Sequence, residues 1–175
     1  MKIIILISFL AVGFSQEYPS LGSDNSLDFA TWNIEWFPKN NQTTVNYIVD
    51  IIEQLDLDVI AIQELNDTSM FDQMLDGLPD YTGYYESSWF AGLAYIYKTN
   101  AIDVNDIYEI YTTSPYWSAF PRSPMVMDID FMGQNYIFIN NHFKCCGDGN
   151  LNSNNESDEE MRRLSASNLL KLYID

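Results

Sequence analysis

The chain has little of several residue types, and each shortage argues against a class of function. Histidine occurs once and cysteine twice among 175 residues, so a zinc site would have fewer protein ligands than a structural site uses. Basic residues number 8 against 25 acidic ones, which gives a net charge of −17. Such a charge repels nucleic acid at long range and disfavours tight, non-specific binding to it. A small cationic site, or a metal that bridges to phosphate, is still compatible with this charge.

Long hydrophobic runs are confined to the N-terminus. A basic residue precedes an apolar stretch over residues 3–12 that is too short to span a bilayer. Gly13 and Ser15 then stand at the −3 and −1 positions of a cleavage site before Gln16. Small residues at these positions are typical of a secretory signal peptide. We therefore expect residues 1–15 to be a signal peptide, residues 16–27 to be a polar leader, and the protein to be secreted or periplasmic.

The composition is that of a globular domain, with 47% hydrophobic and 15% aromatic residues. Hydrophobic periodicity predicts the order β-α-β-α, followed by several antiparallel strands and a final helix. The predicted strands cover 28–34, 59–63, 82–88, 91–98, 102–112, 124–131 and 135–141. The predicted helices cover 45–55, 69–78 and 158–173. A capping box at 157–160 opens the last helix, and the order as a whole predicts a layered α/β domain with a mixed sheet.

Three predicted strands end in polar side chains that suit chemistry on phosphate: Asn33, Glu64 and His142. One or two carboxylates suffice to hold Mg²⁺, which keeps several waters, so Glu64 is the first candidate ligand. Asn33 could hold a phosphate oxygen or a metal-bound water. His142 suits proton transfer near neutral pH or the stabilisation of a charged phosphate. The alternative for each residue alone is a solvated strand end or a turn.

Two basic residues and an amide extend this candidate site. Lys144 adds a point charge two residues after His142, and Arg122 lies in a loop held by two prolines. The planar guanidinium of Arg122 suits phosphate, although a salt bridge on a very acidic surface is the alternative. Asn141, beside His142 at the strand end, is a further candidate to bind the substrate.

Loop 148–159 begins with Asp148, ends with Glu159, and resembles a calcium-binding loop in its ligand positions. Oxygen donors stand at its first, third, fifth, seventh, ninth and twelfth places. Ser153 stands where such a loop requires glycine, and no helix is predicted before it. Calcium binding therefore stays open beside the alternative of a solvated acidic loop.

Cys145 and Cys146 are neighbours in the chain. Secretion would permit disulfide formation, but a bond between adjacent cysteines is strained and uncommon because of the separation that its geometry demands. Pairing with cysteines outside the chain is equally open. A zinc site formed by these two thiols and His142 would lack ligands.

Five segments together resemble the endonuclease/exonuclease/phosphatase superfamily, which has the deoxyribonuclease-I-like fold, in their order and spacing. They read WNIEWF at 32–37, DVIAIQEL at 58–65, GLAYIYK at 92–98, PRSPMVM at 121–127 and NNHFKCC at 140–146. The resemblance covers about residues 28–175. It implies a four-layer α/β sandwich, with two mixed sheets face to face and helices outside. It also implies hydrolysis of a phosphoester with Mg²⁺ or Mn²⁺.

The resemblance implies a role for each matched residue. Glu64 matches the family's metal-binding glutamate, and Asn33 matches an asparagine near the metal and the phosphate. Arg122 matches an arginine that orients phosphate, and His142 matches the strand-end histidine beside the scissile phosphate in the nuclease branch. Lys144 is carried over as a residue that binds the substrate. Asn33, Arg122 and His142 are therefore the expected catalytic residues.

The chain departs from the family's pattern in its second half. Nothing after His142 offers a strand that ends in Asp-x-Asn, or a late Asp-His pair, the residues that position and activate the attacking water. We therefore expect the chain to be the N-terminal part of a longer protein, with one sheet mostly present and its partner mostly missing. The family's acidic partner for the histidine also lacks a clear match, since Ala91 and Gly92 stand near its expected place.

The expected function is that of a secreted, divalent-metal-dependent phosphodiesterase, a nuclease with DNA or RNA as its substrate. A second reading is a phosphatase or phospholipase of the same superfamily, acting on a phospholipid or a phosphorylated small molecule. In that reading the aromatic residues Tyr116, Trp117 and Phe120 could enter a lipid interface, although they could equally stack on bases or simply pack. A third reading is a non-catalytic module that binds calcium through loop 148–159. No stable protein partner is inferred.

Overall fold

The structure is a computed structural model that describes residues 20–87 and 91–175, so the predicted signal peptide lies outside the described residues. The strands are β1 (Phe29–Phe37), β2 (Val59–Leu65), β3 (Tyr81–Tyr84), β4 (Gly92–Lys98), β5 (Asp103–Glu109), β6 (Met125–Phe131) and β7 (Gln134–Asn140). The helices are α1 (Gln42–Leu55), α2 (Thr68–Asp76) and α3 (Glu159–Ile174), and a short 3-10 helix covers Tyr116–Ser118. Within these described ranges, no helix has the length and apolar character needed to cross a bilayer.

The strands form two sheets. The first has the order β1-β2-β4-β3, with β1 and β2 parallel and the other pairs antiparallel, and the second has the antiparallel order β5-β6-β7. The chain builds four strands of the first sheet and three strands of the second, so a part of each expected sheet is present. Consecutive strands β5, β6 and β7 pair with one another as a meander, so they form a second sheet instead of extending the first.

Helices α1 and α2 cover the outer face of the first sheet. Helix α1 buries Val45, Ile48 and Ile52, which share one helical face by their spacing. Helix α2 buries Phe71 and Met74. These side chains join inward residues of β1, β2 and β4 in one hydrophobic cluster, so the predicted amphipathic helices form the outer layer of the domain.

The other face of the first sheet packs against the second sheet. Leu93 and Tyr95 of β4 meet Met125, Met127 and Ile129 of β6, and all five are fully buried. Strand β2 packs Ile60 and Ile62 against the helices and Val59 and Ala61 against the second sheet, which explains its apolar character on both faces. Helix α3 lies beside the second sheet and contacts β5 through the hydroxyls of Tyr173 and Tyr108. The layers are thus helices, sheet, sheet and helix, as the resemblance implies.

The predicted capping box of the last helix is displaced by one residue. The N-cap of α3 is Asp158, whose Oδ1 accepts a hydrogen bond from the backbone N–H of Met161 at 2.9 Å. Ser157 therefore lies outside the cap, and Glu160 does not close a box with it. Instead, the Glu160 carboxylate pairs with Arg163 one turn along the helix at 2.8 Å. Its Oε1 also accepts a hydrogen bond from the backbone N–H of Gly149 at 2.8 Å, which ties the first turn of α3 to the preceding loop.

Candidate active site

Strands β1 and β2 run parallel, so their carboxyl ends meet at one edge of the first sheet. Asn33 pairs in register with Gln63, which puts its side chain beside Glu64. Asn33 Nδ2 donates a hydrogen bond to Glu64 Oε1 at 2.9 Å, and the backbone N–H of Trp36 donates to Glu64 Oε2 at 3.1 Å. Both carboxylate oxygens are therefore oriented by donors from β1.

The backbone around this carboxylate is in an unusual conformation. Glu64 has a φ of 65°, and Glu35 and Trp36 have φ values of 44° and 56°, in the left-handed region that residues with a side chain rarely adopt. The pairing register of both strands shifts at the same place. Irregularities of this kind re-aim side chains and collect at active sites, which agrees with the expected role of Glu64.

His142 comes from the second sheet, just beyond β7, and approaches Glu64 from across the sandwich. Its Nε2 lies 3.5 Å from Glu64 Oε1, and the two side chains are 20% and 14% exposed. This separation is long for a hydrogen bond, and the contact becomes an ion pair only when the imidazole is protonated. Burial lowers the pKa of His142, the Arg122 guanidinium lowers it further, and Glu64 opposes both. We therefore expect the imidazole to be neutral near neutral pH.

Arg122 is anchored in the loop before β6. Its Nε donates to the carbonyl oxygen of Ala91 at 3.1 Å, and Ala91 itself has a φ of 50°. The guanidinium acts electrostatically on His142, so the structure brings this predicted residue to the same site. The Nε contact fixes the plane of the guanidinium, whose other N–H groups are suited to phosphate oxygens.

Two buried polar atoms at the end of β7 lack a hydrogen-bond partner among the described residues: Asn141 Oδ1 and His142 Nδ1. Asn141 is held through the other end of its amide, since Nδ2 donates to the Ile139 carbonyl oxygen at 2.8 Å. In the described ranges His142 Nδ1 thus has no hydrogen-bond partner. Unpaired buried polar atoms are rare in folded proteins, and these two mark a place for a further polar group.

Lys144 is the predicted site residue whose contacts lie elsewhere. Its Nζ lies 3.9 Å from Cys145 Sγ, and its carbonyl oxygen accepts a hydrogen bond from Arg163 at 2.9 Å. Both partners belong to the loop after β7 and to the helix that follows it. The structure thus brings Asn33, Glu64 and His142 together, with Arg122 beside them, and leaves Lys144 at the loop.

The donor set at Glu64 suits a hard divalent cation. Glu64 offers a carboxylate already oriented by two hydrogen bonds, and Asn33 offers an amide beside it. Mg²⁺ is commonly held by one or two carboxylates and keeps several waters, so this sparse set fits it. In the described part of the chain, neither Glu64 nor the His142, Cys145 and Cys146 set belongs to a cluster of three potential metal ligands, which does not fit zinc.

The predicted calcium loop forms a turn and a helix cap. Asp148 Oδ1 accepts from the backbone N–H of Asn150 at 2.8 Å, and Asp158 serves as the N-cap of α3. Among the described residues, the cluster of three carboxylates consists of Asp158, Glu159 and Glu160, without Asp148. The first and last positions of the loop therefore do not converge on one point, and calcium binding there stays a prediction without geometric support.

The aromatic residues considered for a lipid interface are mostly packed. Phe120 is 2% exposed, and its ring stacks on Tyr111 with centroids 5.3 Å apart. Tyr116 contacts the same Tyr111 ring at 4.8 Å, whereas Trp117 is 49% exposed. Packing, which was one of the alternatives for these residues, is what the structure shows for Phe120, because this segment packs against α3, where Ala166 is fully buried.

Beneath the site lies a buried polar network that sequence reasoning missed. Gln63 Nε2 donates to Asn140 Oδ1 at 2.7 Å, and Asn140 Nδ2 donates to two carbonyl oxygens of the first sheet at 2.8 and 3.0 Å. The backbone N–H of Asn140 donates to the Tyr95 hydroxyl at 2.9 Å. Alternation along β7 puts Asn140 on the same face as Phe138, which packs in the core. The amide of Asn140, at an inward position of an otherwise apolar strand, is the sequence signal from which this network could have been predicted.

The model of the Endonuclease/Exonuclease/phosphatase family matches residues 30–161. The chain belongs to this family. Solved structures with a similar fold include D. rerio TDP2 complexed with single strand DNA product, with a TM-score of 0.64 and 14% identity over 85% of this chain. An endonuclease/exonuclease/phosphatase family protein from Leptotrichia buccalis has a TM-score of 0.55 and 17% identity over 83% of this chain. Truncated TDP2 from Caenorhabditis elegans has a TM-score of 0.52 and 18% identity over 69% of this chain.

This chain spans only part of those structures. It covers 54% of the D. rerio protein, 61% of the Leptotrichia protein and 47% of the Caenorhabditis protein. No curated protein sequence matches the chain. The predicted family and the layered α/β fold are confirmed, and at these identities the structural likeness speaks for the fold alone.

Proposed function

We propose that the protein is a secreted, divalent-metal-dependent hydrolase of phosphate diesters, with nucleic acid as its substrate. The observation that carries this proposal is the convergence of Asn33, Glu64 and His142 from two different sheets. Family membership supports the reaction class, and the arrangement of these side chains supports the roles below. Because the chain covers about half of the solved relatives, the proposal concerns the natural full-length protein.

Glu64 would hold the metal ion, and β1 would hold Glu64. A bound Mg²⁺ or Mn²⁺ would polarise a phosphoryl oxygen and neutralise the negative charge that develops during displacement at phosphorus. Asn33 and the Trp36 amide fix both oxygens of the carboxylate before any substrate arrives. Such preorganised groups need no rearrangement at the moment of reaction.

His142 and Arg122 would have different tasks at the phosphate. Arg122 carries a permanent positive charge and stabilises the phosphoryl oxygens. His142 has a pKa lowered by burial, so its neutral ring donates one N–H hydrogen bond or accepts a proton. This differs from a histidine that is protonated beforehand and delivers a proton to the leaving oxygen. The negative charge of a bound phosphate would raise the pKa of His142 again and favour that step.

Exposed aromatic residues next to the site favour nucleic acid over lipid. Trp36, whose backbone holds Glu64, is 50% exposed, and Phe143, next to His142, is 36% exposed. Aromatic faces stack on bases without regard to sequence, whereas the packed Phe120 weakens the lipid reading. The strongly acidic surface favours local stacking contacts over a broad electrostatic footprint.

Hydrolysis of a chromogenic phosphate diester, compared with the corresponding monoester, tests the proposal. We expect the natural full-length protein to prefer the diester, to need Mg²⁺ or Mn²⁺, and to lose activity with a chelator.

Glu64→Gln should lower kcat about 100-fold or more, since a Lewis acid contributes several kcal/mol. Glu35→Gln is the matched control, because this nearby glutamate pairs with Lys39 on the surface. A Glu64→Gln protein as active as its parent would refute the proposal, and plasmid nicking against lipid hydrolysis separates the substrates.

A further inference from the structure

The thiols of Cys145 and Cys146 contact each other in the loop that follows His142. Both residues are exposed, and their Sγ atoms are 2.9 Å apart. Side chains of neighbouring residues in an extended chain point in opposite directions, so this contact requires a turn of the backbone. Cys146 supplies it with a φ of 71°. The hydrolase proposed above makes no use of this pair.

We propose that Cys145 and Cys146 form a reversible dithiol–disulfide site that small disulfides, such as oxidised glutathione, oxidise. In the first step the Cys145 thiolate attacks one sulfur of the small disulfide, forms a mixed disulfide and releases one thiolate. In the second step Cys146 attacks Cys145 Sγ, closes the bond between the two neighbours and releases the second thiolate. The protein loses two protons and two electrons, and the small disulfide becomes two thiols.

The surroundings of the two thiols distinguish their roles. The Cys146 thiol donates to Cys145 Sγ and lowers the pKa of Cys145, and the Lys144 ammonium acts in the same direction. The same contact raises the pKa of Cys146. Since the thiolate is the attacking species, Cys145 attacks first and Cys146 resolves the mixed disulfide.

Helix α3 holds this part of the loop in place. Arg163 Nη1 donates to the carbonyl oxygens of Lys144 and Cys146 at 2.9 and 2.8 Å. Its Nη2 pairs with Glu160 at 2.8 Å. These contacts fix the backbone on both sides of Cys145, so the thiols stay close together in the folded chain. A fold that holds two reacting groups together raises their effective concentration.

The bond would be labile. Consecutive Cα atoms are about 3.8 Å apart across a trans peptide, closer than the roughly 4.4–6.8 Å of ordinary disulfides, and such deviations make the bond easier to reduce. Strained, exposed disulfides have more oxidising potentials than structural ones. Secretion, as proposed above, would supply an oxidising compartment in which the pair could cycle.

Intact-mass analysis in glutathione redox buffers tests the site. The full-length protein is equilibrated at several ratios of oxidised to reduced glutathione, quenched with acid and alkylated. We expect a growing fraction in which Cys145 and Cys146 take up no alkyl group and segment 145–162 is about two mass units lighter than its reduced form, since two hydrogens are lost. Peptide mapping should place the bond within segment 145–162, which contains both cysteines. Two alkylated thiols at every ratio, a stable glutathione adduct or a covalent dimer would overturn the proposal.

Two controls separate the site from ordinary thiol chemistry. Cys145→Ser and Cys146→Ser each leave one thiol, which should accumulate as a mixed disulfide with glutathione. The same equilibration in denaturing urea measures the contribution of the fold. We expect the equilibrium constant for oxidation to be at least about tenfold larger in the folded protein, because α3 holds the thiols together. Equal equilibrium constants in the folded and unfolded chains would contradict the proposed role of the fold in holding the two thiols together.

Discussion

Gln63 and Asn140 join the two sheets directly beneath the candidate active site, through a hydrogen bond of 2.7 Å between Gln63 Nε2 and Asn140 Oδ1. Each residue precedes a proposed site residue by one or two positions: Glu64 follows Gln63, and His142 follows Asn140 by two. Both amides are nearly fully buried. The hydrogen bond therefore fixes the distance between the strand end that carries the carboxylate and the strand end that carries the imidazole.

Replacing Asn140 should destabilise the fold. Asn140→Leu keeps the volume of the side chain but removes donors from two carbonyl oxygens and the acceptor of Gln63. Each lost hydrogen bond contributes about 0.5–1.5 kcal/mol, and Gln63 Nε2 keeps Thr31 Oγ1 and the Ala61 carbonyl oxygen as acceptors. We therefore expect a loss of about 2–3 kcal/mol in the free energy of unfolding. Urea unfolding measures it. Asn135→Ala removes hydrogen bonds at the exposed part of the same strand, where water can replace them, so it should cost less, about 1 kcal/mol. Equal losses in the two variants would contradict the account.

The titration of His142 can be followed without assignment, because it is the only histidine in the chain. In the metal-free protein, NMR should give a pKa below the ordinary 6.5. Removing the charge of Arg122 with Arg122→Met should raise this pKa, and Glu64→Gln should lower it further. Lys144→Met is the matched control and should leave it unchanged. A pKa above 6.5 in the parent would contradict the described environment.

The same shift gives stability a pH dependence with a defined sign. Since the pKa of His142 is lower in the folded state, the unfolded chain binds more protons in the range between the two values. The contribution of neutral His142 to the free energy of unfolding is fully present above the pKa of the unfolded chain, about 6.5. It is lost as the pH falls through the pKa of the folded protein. Glu64→Gln should widen the pH interval between the folded and unfolded pKa values of His142, because Glu64 raises the folded pKa. Arg122→Met should narrow the interval, because Arg122 lowers the folded pKa.

Gly147 should be required for two reasons, its positive φ and the closeness of the Glu160 carboxylate. Gly147 and Gly149 have φ values of 93° and 82°, so alanine is strained at both. At Gly147 an added Cβ would overlap the Glu160 carboxylate, whereas at Gly149 nothing lies within 4 Å. We expect Gly147→Ala to lower the free energy of unfolding by about 1 kcal/mol more than Gly149→Ala does. Equal effects in thermal or urea unfolding would show that the overlap is relieved without cost.

Features that depend on local patterns were predictable from the sequence. The apolar run of β2 marked a central strand and placed Glu64 at its end, and the turn at Gly133 marked the hairpin of β6 and β7. Amphipathic spacing marked α1. Because functional residues collect where strands end and loops begin, the polar residues at the predicted ends of the first two strands and of β7 could be expected to meet at one site.

Features that depend on contacts between distant segments were not predictable. Gln63 and Asn140 are separated by 77 positions, and nothing in either strand alone shows that they face each other. The burial of Phe120 follows from the packing of α3, which comes far later in the chain. The left-handed backbone of Glu64 is held by its surroundings against local preference. The division of strands between two sheets likewise depends on pairing choices beyond any single segment.

The most direct test of the central claim is calorimetric titration of the protein with Mn²⁺, compared between Glu64→Gln and Glu35→Gln. If Glu64 holds the metal, its variant should lose affinity by about 10-fold or more, whereas the Glu35 variant should bind like the parent. Both variants leave the fold intact in this account, which circular dichroism would verify. Equal affinities in the parent and in Glu64→Gln would contradict the assignment of Glu64 as the metal ligand, and with it the proposed mechanism.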